Sequence, residues 1–146
     1  MFYDKNENKY YILISEKKNQ GTNDLRLIEG KEKQSRGNAI ERLGKNVIGF
    51  SSLMCGESIN PFICFGDGCD FSKESTIIDR VSTIAKYREL NTIQMTNSEL
   101  QSTGSYFFRN DPWTSDEMET YMYEIAERSI MNYKSKYGIN FFNKEQ

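Results

Sequence analysis

An apolar stripe in the second quarter of the chain constrains the fold more than any other feature. Between residues 38 and 54, apolar side chains recur every three or four positions: Ile40, Leu43, Val47, Phe50 and Met54. This is the spacing of one face of an α-helix, so the pattern predicts a helix that begins near Asn38. A second face with the same period is polar and carries Asn38, Glu41, Arg42 and Lys45. The helix can therefore bury one side and present the other to a partner.

Short apolar runs bounded by turn residues predict strands on both sides of this helix. The polar cluster Asp4 to Lys9 predicts a hairpin turn between a short strand at 1–3 and a strand at 10–15 that ends at Glu16. Two more strands are predicted at 62–65, followed by a turn at 66–68, and at 106–108. The polar, irregular stretch 19–36 is predicted to be a loop or arm.

The last third of the chain predicts a second long helix. Thr114 and Glu117 have the spacing of a capping box, so we expect a helix from there to about Tyr133. The stretch 72–90 is ambiguous, with a helical tendency from Ile77 onward. Strands that alternate with helices in this way predict an α/β sandwich.

Composition limits the chemistry that such a fold can perform. The 146 residues suit one domain, and nine Phe, nine Tyr and only two Pro argue against disorder. No signal peptide and no apolar run of about 20 residues is present, and the odd set Cys55, Cys64 and Cys69 lacks zinc-site spacing. We therefore expect a cytoplasmic protein with buried thiols and no membrane partner. The absence of His excludes histidine-based catalytic and zinc sites and leaves carboxylates, lysine and a hard cation such as Mg²⁺.

Charge is distributed unevenly along the chain. Residues 1–48 contain ten Lys or Arg and seven Asp or Glu, whereas residues 49–146 contain nine and fourteen. The first part is therefore +3 and the second −5, although the whole chain is only −2. This asymmetry favours a phosphate-facing surface in the N-terminal third, although an ordinary mixed surface could also produce it.

Glu16 and Lys18 are candidates for a catalytic pair. Residues i and i+2 of a strand point to the same side, so this carboxylate and ammonium should converge. A carboxylate there can bind Mg²⁺ for phosphodiester hydrolysis, and the lysine can orient a water or neutralise charge developing on phosphorus. The alternative is a solvated pair, because the same triplet is common on surface strands.

The start of the first helix is a candidate for reading DNA bases. Asn38, Glu41 and Arg42 carry the amide, carboxylate and guanidinium groups that can recognise base edges in the major groove. Gly37 would let the backbone approach DNA closely, and a helix N-terminus favours phosphates. The alternative is an amphipathic helix whose polar face is simply solvated.

Residues 14–21 and 36–42, taken together, resemble the type II restriction endonucleases of the EcoRI and MunI type, members of the PD-(D/E)xK nucleases. The similarity continues through 45–46, 62–71 and 113–133. It implies a restriction-endonuclease-like three-layer α/β sandwich, with a central mixed sheet flanked by helices, in a single catalytic and DNA-recognition domain, 1–146. It also implies that Glu16 binds the Mg²⁺ cofactor and that Lys18 is the catalytic lysine.

The same resemblance implies the DNA contacts and the partners. Asn38, Ala39, Glu41 and Arg42 would contact the inner adenines of an AATT core, with Lys45 and Asn46 supporting the backbone contacts. Arg36, next to Gly37, matches the MunI pattern, in which an arginine reads an outer G·C pair. A CAATTG-like palindrome in double-stranded DNA is thus preferred, GAATTC is second, and a homodimer is expected.

One departure from the family pattern leaves two functions open. The family's first acid stands about fifteen residues before Glu16, and that count lands on Met1. We therefore expect a domain that is incomplete at its N-terminus and binds Mg²⁺ poorly. The preferred function is a site-specific, Mg²⁺-dependent endodeoxyribonuclease, and the alternative is a catalytically impaired or inactive fragment that binds DNA or dimerises. A third possibility is a small interaction protein in which the motifs occur by chance.

Overall fold

A computed structural model describes residues 1–4, 6–34, 38–54, 56–76, 78, 89–96 and 104–142, with the backbone alone for 38–41. Its elements, in chain order, are β1 (Phe2–Tyr3), β2 (Lys9–Tyr10), β3 (Ile14–Asn19), α1 (Gly21–Ile28), α2 (Asn38–Leu53), β4 (Phe62–Asp67), a 3₁₀ helix (Cys69–Phe71), β5 (Ser105–Arg109) and α3 (Ser115–Tyr137). Most of the ambiguous stretch 72–90, like Cys55, lies outside the described residues. Within the described ranges, no helix combines the length and apolar character needed to cross a bilayer.

The main sheet is parallel, with strand order β3-β4-β5. Every residue of the central strand β4 is buried, which is typical of parallel strands covered on both faces. The α/β class is therefore confirmed, but the predicted mixed sheet is not seen among the described strands. The antiparallel pair β1-β2 forms a separate sheet.

Alternate residues of β4 belong to two hydrophobic cores. Phe62 and Cys64 pack with Leu43 and Val47 of α2. Ile63 and Phe65 pack in a second cluster that contains Ile125 and Tyr133 of α3. Because successive strand residues point to opposite faces, α2 and α3 supply the cores on the two faces of β4.

The predicted hairpin is confirmed, but the strand that follows it differs from the prediction. The carboxylate of Asp4 accepts hydrogen bonds from the backbone N–H groups of Asn6 and Asn8 at 2.8 and 2.9 Å, which fixes the turn between β1 and β2. A continuous strand over 10–15 is wrong, since β2 ends at Tyr10 and β3 begins at Ile14. The break occurs because β2 pairs with β1, whereas β3 joins β4 in the other sheet.

The predicted loop or arm at 19–36 contains helix α1, so that prediction is wrong over its first part. The apolar side chains of this helix do not form a buried stripe: Leu25 is 63% exposed and Ile28 is 82% exposed. Asn23 is the buried residue of α1, and its side chain bonds Gln20, Gln34 and Asp70. Polar contacts hold this helix in place, so a hydrophobic pattern could not indicate it.

The two predicted long helices are confirmed. In α2, Leu43 and Val47 are buried, and the ring of Phe50 packs on Phe62 with centroids 4.8 Å apart. The capping box is present, since the hydroxyl of Thr114 accepts from the Glu117 N–H and the Glu117 carboxylate accepts from the Thr114 N–H. Helix α3 ends at Tyr137, four residues beyond the predicted end.

Candidate active site

Glu16 and Lys18 converge on one side of β3. The Lys18 Nζ lies 2.7 Å from Glu16 Oε1, and the two side chains are 14% and 20% exposed. Lys17 points to the other face, where its ammonium donates to the Trp113 carbonyl at 2.9 Å. Because side chains alternate between the two faces of a strand, Glu16 and Lys18 form a mostly buried pair and Lys17 makes separate contacts on the other face.

Helix α2 reaches the same carboxylate. The Nδ2 of Asn46 donates to Glu16 Oε1 at 2.8 Å, so Lys18 and Asn46 bond the same oxygen. The other oxygen, Glu16 Oε2, is buried and has no hydrogen-bond partner among the residues that the structure describes. A buried carboxylate oxygen without a partner is costly, so this atom marks a place where a ligand would be stabilising.

The unpartnered Glu16 Oε2 fits a bound Mg²⁺. Magnesium binds carboxylate oxygens and usually keeps several waters, with one or two carboxylates plus phosphate oxygens of the substrate. No group of three acidic, His or Cys side chains that could hold a metal occurs within the described part of the chain. Among the described residues, the atom that would contact the metal is Glu16 Oε2, on a carboxylate that Lys18 and Asn46 bond through Oε1.

Cys64 is the neighbour of Glu16 on the central strand, in direct register with it. Burial raises the pKa of the Cys64 thiol, the negative charge of Glu16 raises it further, and Lys18 opposes the shift. The thiol is therefore neutral at physiological pH. It places an uncharged, largely apolar side chain, rather than a second anion, beside the Glu16 carboxylate.

The predicted DNA-contacting residues are only partly described. Arg42 and Lys45 are exposed on α2, and Asn46 is half-buried beside Glu16. Arg36 and Gly37 lie outside the described residues, as do the side chains of Asn38, Ala39 and Glu41. The structure thus brings one of the predicted residues, Asn46, to the Glu16–Lys18 pair, and the roles of all these residues stay predictions.

A buried polar cluster at the carboxyl end of β4 was not anticipated from the sequence, which predicted a turn at this point. Asp67 is 1% exposed, and its carboxylate accepts hydrogen bonds from the Asn19 side chain and from the Trp113 N–H. Lys17 Nζ lies 3.6 Å from the same carboxylate. The cluster ties the end of β3 to the segment that leads into α3. An Asp that ends a strand of otherwise apolar residues and glycine is the signal that could have indicated it.

A second unanticipated cluster anchors the segment between α1 and α2. Asp70 accepts from Lys33 Nζ at 2.9 Å and from Asn23 Nδ2 at 3.0 Å, and the Gln34 N–H donates to Asn23 at 2.9 Å. Asp70 is buried, and its hydrogen bond raises the pKa of Lys33. These contacts fix the chain just before the stretch predicted to read the outer base pair. Their partners are far apart in sequence, so spacing gave no indication of them.

The parallel α/β sheet, the acid and lysine that meet on one strand, and the amphipathic helix beside them are consistent with the class of restriction-endonuclease-like folds. The family described as restriction endonuclease EcoRI matches residues 1–80 of the 146, and the chain belongs to this family. It is 29% identical over 164 residues to the type II restriction enzyme RsrI of Cereibacter sphaeroides, an alignment that covers 87% of this chain. The chain spans 59% of the length of that relative.

Proposed function

We propose that the protein is a site-specific, Mg²⁺-dependent endodeoxyribonuclease that hydrolyses phosphodiesters in palindromic double-stranded DNA with an AATT core. A CAATTG-like site is the preferred target and GAATTC the second. The proposal includes a homodimer that acts in the cytoplasm, with one catalytic and DNA-recognition domain of the three-layer, helix-flanked kind. Family membership and the resemblance of residues 14–21 and 36–42 support it.

The observation that carries the proposal is the environment of Glu16. Its carboxylate is bonded by Lys18 from the strand and by Asn46 from α2, and its other oxygen is buried with no partner among the described side chains and backbone groups. Mg²⁺ bound there would polarise the phosphate and acidify a coordinated water. Lys18 places a positive charge next to the reacting phosphate, where it can stabilise negative charge that develops during attack. The polar residues of α2, including Arg42 and Lys45, would face the same duplex.

The first experiment compares cleavage and binding of three duplexes that contain CAATTG, GAATTC or the scrambled core CTTAAG. Cleavage is measured in Mg²⁺, and binding is measured in Ca²⁺. Cleavage confined to an AATT-containing duplex supports the nuclease. Specific binding without cleavage supports the alternative, a catalytically impaired fragment that binds DNA or dimerises. The absence, among the described residues, of a group of three acidic, His or Cys side chains that could hold a metal favours that second candidate. Equal affinity for all three duplexes refutes both.

Neighbouring lysines provide a matched test of the catalytic assignment. Lys18→Ala should abolish cleavage and leave binding in Ca²⁺ intact, because Lys18 contacts Glu16. Lys17→Ala should retain cleavage, because that ammonium lies on the opposite face with Trp113 and Asp67. Cleavage that survives Lys18→Ala would remove this lysine from the mechanism.

Two exposed arginines on different helices test the reading of bases. Arg42→Ala should cost about 1–3 kcal/mol of specific binding and relax discrimination between the AATT and scrambled duplexes. Arg128→Ala is the control, because Arg128 lies on α3 and pairs with Glu124 one turn away. If Arg42→Ala weakens binding to both duplexes equally, this arginine contacts the backbone rather than the bases.

A further inference from the structure

We propose, on the basis of the function proposed above, that Asn46 is a positioning residue that acts through Glu16 and connects the DNA-facing helix α2 to the metal-binding carboxylate. The resemblance assigned this residue to DNA-backbone contacts. Its side-chain amide instead donates to Glu16 Oε1 at 2.8 Å. The two elements that it joins, β3 and α2, carry the predicted catalytic and base-reading residues, respectively.

The hydrogen-bond pattern determines which carboxylate oxygen is left for a cation. Lys18 Nζ at 2.7 Å and Asn46 Nδ2 at 2.8 Å both bond Oε1, and Oε2 is buried without a partner in the described part of the chain. The lysine has a long, flexible side chain, so it could follow the carboxylate through a rotation. The short Asn46 side chain cannot. Asn46 is therefore the group that fixes the carboxylate so that Oε2, rather than Oε1, is available to bind a cation.

The amide is held in place by the packing of α2. Leu43 lies three residues before Asn46 and Val47 directly follows it, and these two side chains are 0% and 4% exposed. Phe50, one turn further along, packs against Phe62 of β4 with ring centroids 4.8 Å apart. Since close-packed cores do not deform continuously, α2 holds the Asn46 amide in a fixed position relative to β3.

The exposed side of the same helix carries Arg42 and Lys45, one turn before and one residue before Asn46. Any shift of α2 when these residues engage DNA would therefore move the amide that orients Glu16. DNA recognition by α2 would in this way be coupled to the orientation of Glu16, the proposed metal ligand.

The test is Mn²⁺ binding by the full chain without DNA, followed by electron paramagnetic resonance, together with duplex affinity in EDTA, without any divalent cation, and the thermal midpoint. Asn46→Ala should weaken Mn²⁺ binding about 10- to 100-fold, as is usual when a group that orients a metal ligand is removed. Duplex affinity should change less than about twofold, which is the outcome that a DNA-backbone contact would not give. Glu16→Gln should abolish Mn²⁺ binding. Ile48→Ala is the matched control on α2, since Ile48 is 70% exposed and lies outside the site.

A second variant keeps the test decisive if Asn46→Ala fails to fold. Asn46→Ser retains a donor on a shorter side chain, and it should give a smaller loss of Mn²⁺ affinity. Unchanged Mn²⁺ affinity in a folded variant, or no measurable Mn²⁺ binding by the wild-type chain, overturns the inference.

The nuclease proposal can fail separately. If the wild type cleaves DNA but Asn46→Ala binds Mn²⁺ normally, the positioning role is wrong and the nuclease stands. If the wild type does not cleave but Mn²⁺ binding is lost in Glu16→Gln and weakened in Asn46→Ala, the positioning role stands and the nuclease is wrong.

Discussion

Gly66, in the central strand β4, should not tolerate even a methyl group. A Cβ built there would lie 2.5 Å from Phe71 Cδ1 and 2.7 Å from Phe108 Cδ1. Carbon atoms in favourable contact are about 3.5–4.0 Å apart, so the two rings would have to move by about 1 Å. Phe71 and Phe108 are 1% and 5% exposed, and their centroids are 4.8 Å apart, so neither ring has room to retreat. Overpacking of this kind costs about 1–3 kcal/mol, and we expect Gly66→Ala to lower the free energy of unfolding by that amount.

The same substitution at Gly49 should raise, rather than lower, the free energy of unfolding. Gly49 lies in α2, is exposed, and has no atom within 4 Å of the position that a Cβ would take. Alanine is favoured over glycine inside a helix by about 0.5–1 kcal/mol, so Gly49→Ala should stabilise the protein by that amount. The two Gly→Ala variants should therefore differ by about 1.5–4 kcal/mol.

The assay is urea unfolding followed by far-UV circular dichroism, with linear extrapolation to water. Fluorescence is unsuitable as the main probe, because the indole N–H of Trp113 donates to the Gly66 carbonyl at 3.1 Å and would respond to the mutation itself. A Gly66→Ala variant as stable as the wild type would refute the packing of Phe71 and Phe108 around this strand. A Gly49→Ala variant that is destabilised would refute the open surroundings of that residue.

Two further predictions concern buried and exposed carboxylates. Asp67→Ala should lower the free energy of unfolding by about 3 kcal/mol or more in the same urea assay, because the Asn19 side chain and the Trp113 N–H would lose their acceptor in a buried site; a loss below 1 kcal/mol would contradict this. The pKa of the Glu117 carboxyl is lowered from its ordinary value of 4.5 to about 2. The hydrogen bond from the Arg109 guanidinium is the largest cause, and the hydrogen bonds from Thr114 come next. Because the folded-state pKa is depressed, its stabilising contribution is complete above about pH 4.5 and is lost as the pH falls towards 2. The difference in thermal midpoint between wild type and Glu117→Gln should therefore shrink over that interval, and a constant difference would refute the link.

Elements with a strong local pattern could be predicted from the sequence. The stripe that includes Leu43 and Val47 indicated α2, and the Thr114 capping box indicated the start of α3. The carboxyl ends of β3 and β4 could not be predicted, because Lys18 pairs with Gly66 and Asn19 with Asp67 across the sheet. Polar and glycine residues look like turns until the partner strand is known.

The candidate site also has one part that could be predicted from the sequence and one part that could not. The convergence of Glu16 and Lys18 follows from the period of a strand and could be predicted. The contact between Asn46 and Glu16 joins residues 30 positions apart, and it depends on how α2 packs against the face of the sheet that contains β3 and β4. No local pattern contains that information. The buried, unpartnered Oε2 is a consequence of the same packing, so it too appears only in the structure.

The charges around Glu16 lead to a last prediction. Glu16 and Lys18 have formal charges of −1 and +1, and Asn46 and the Cys64 thiol are neutral, since burial raises the pKa of that thiol. The described protein groups at the site thus sum to about zero and do not attract a divalent cation strongly on their own. A DNA phosphate beside Oε2 would add the missing negative charge. We therefore expect an AATT-containing duplex to tighten Mn²⁺ binding at least fivefold, and Mn²⁺ to tighten duplex binding by the same factor, as linkage requires. Equal Mn²⁺ affinity with and without the duplex would show that the phosphate does not reach Glu16.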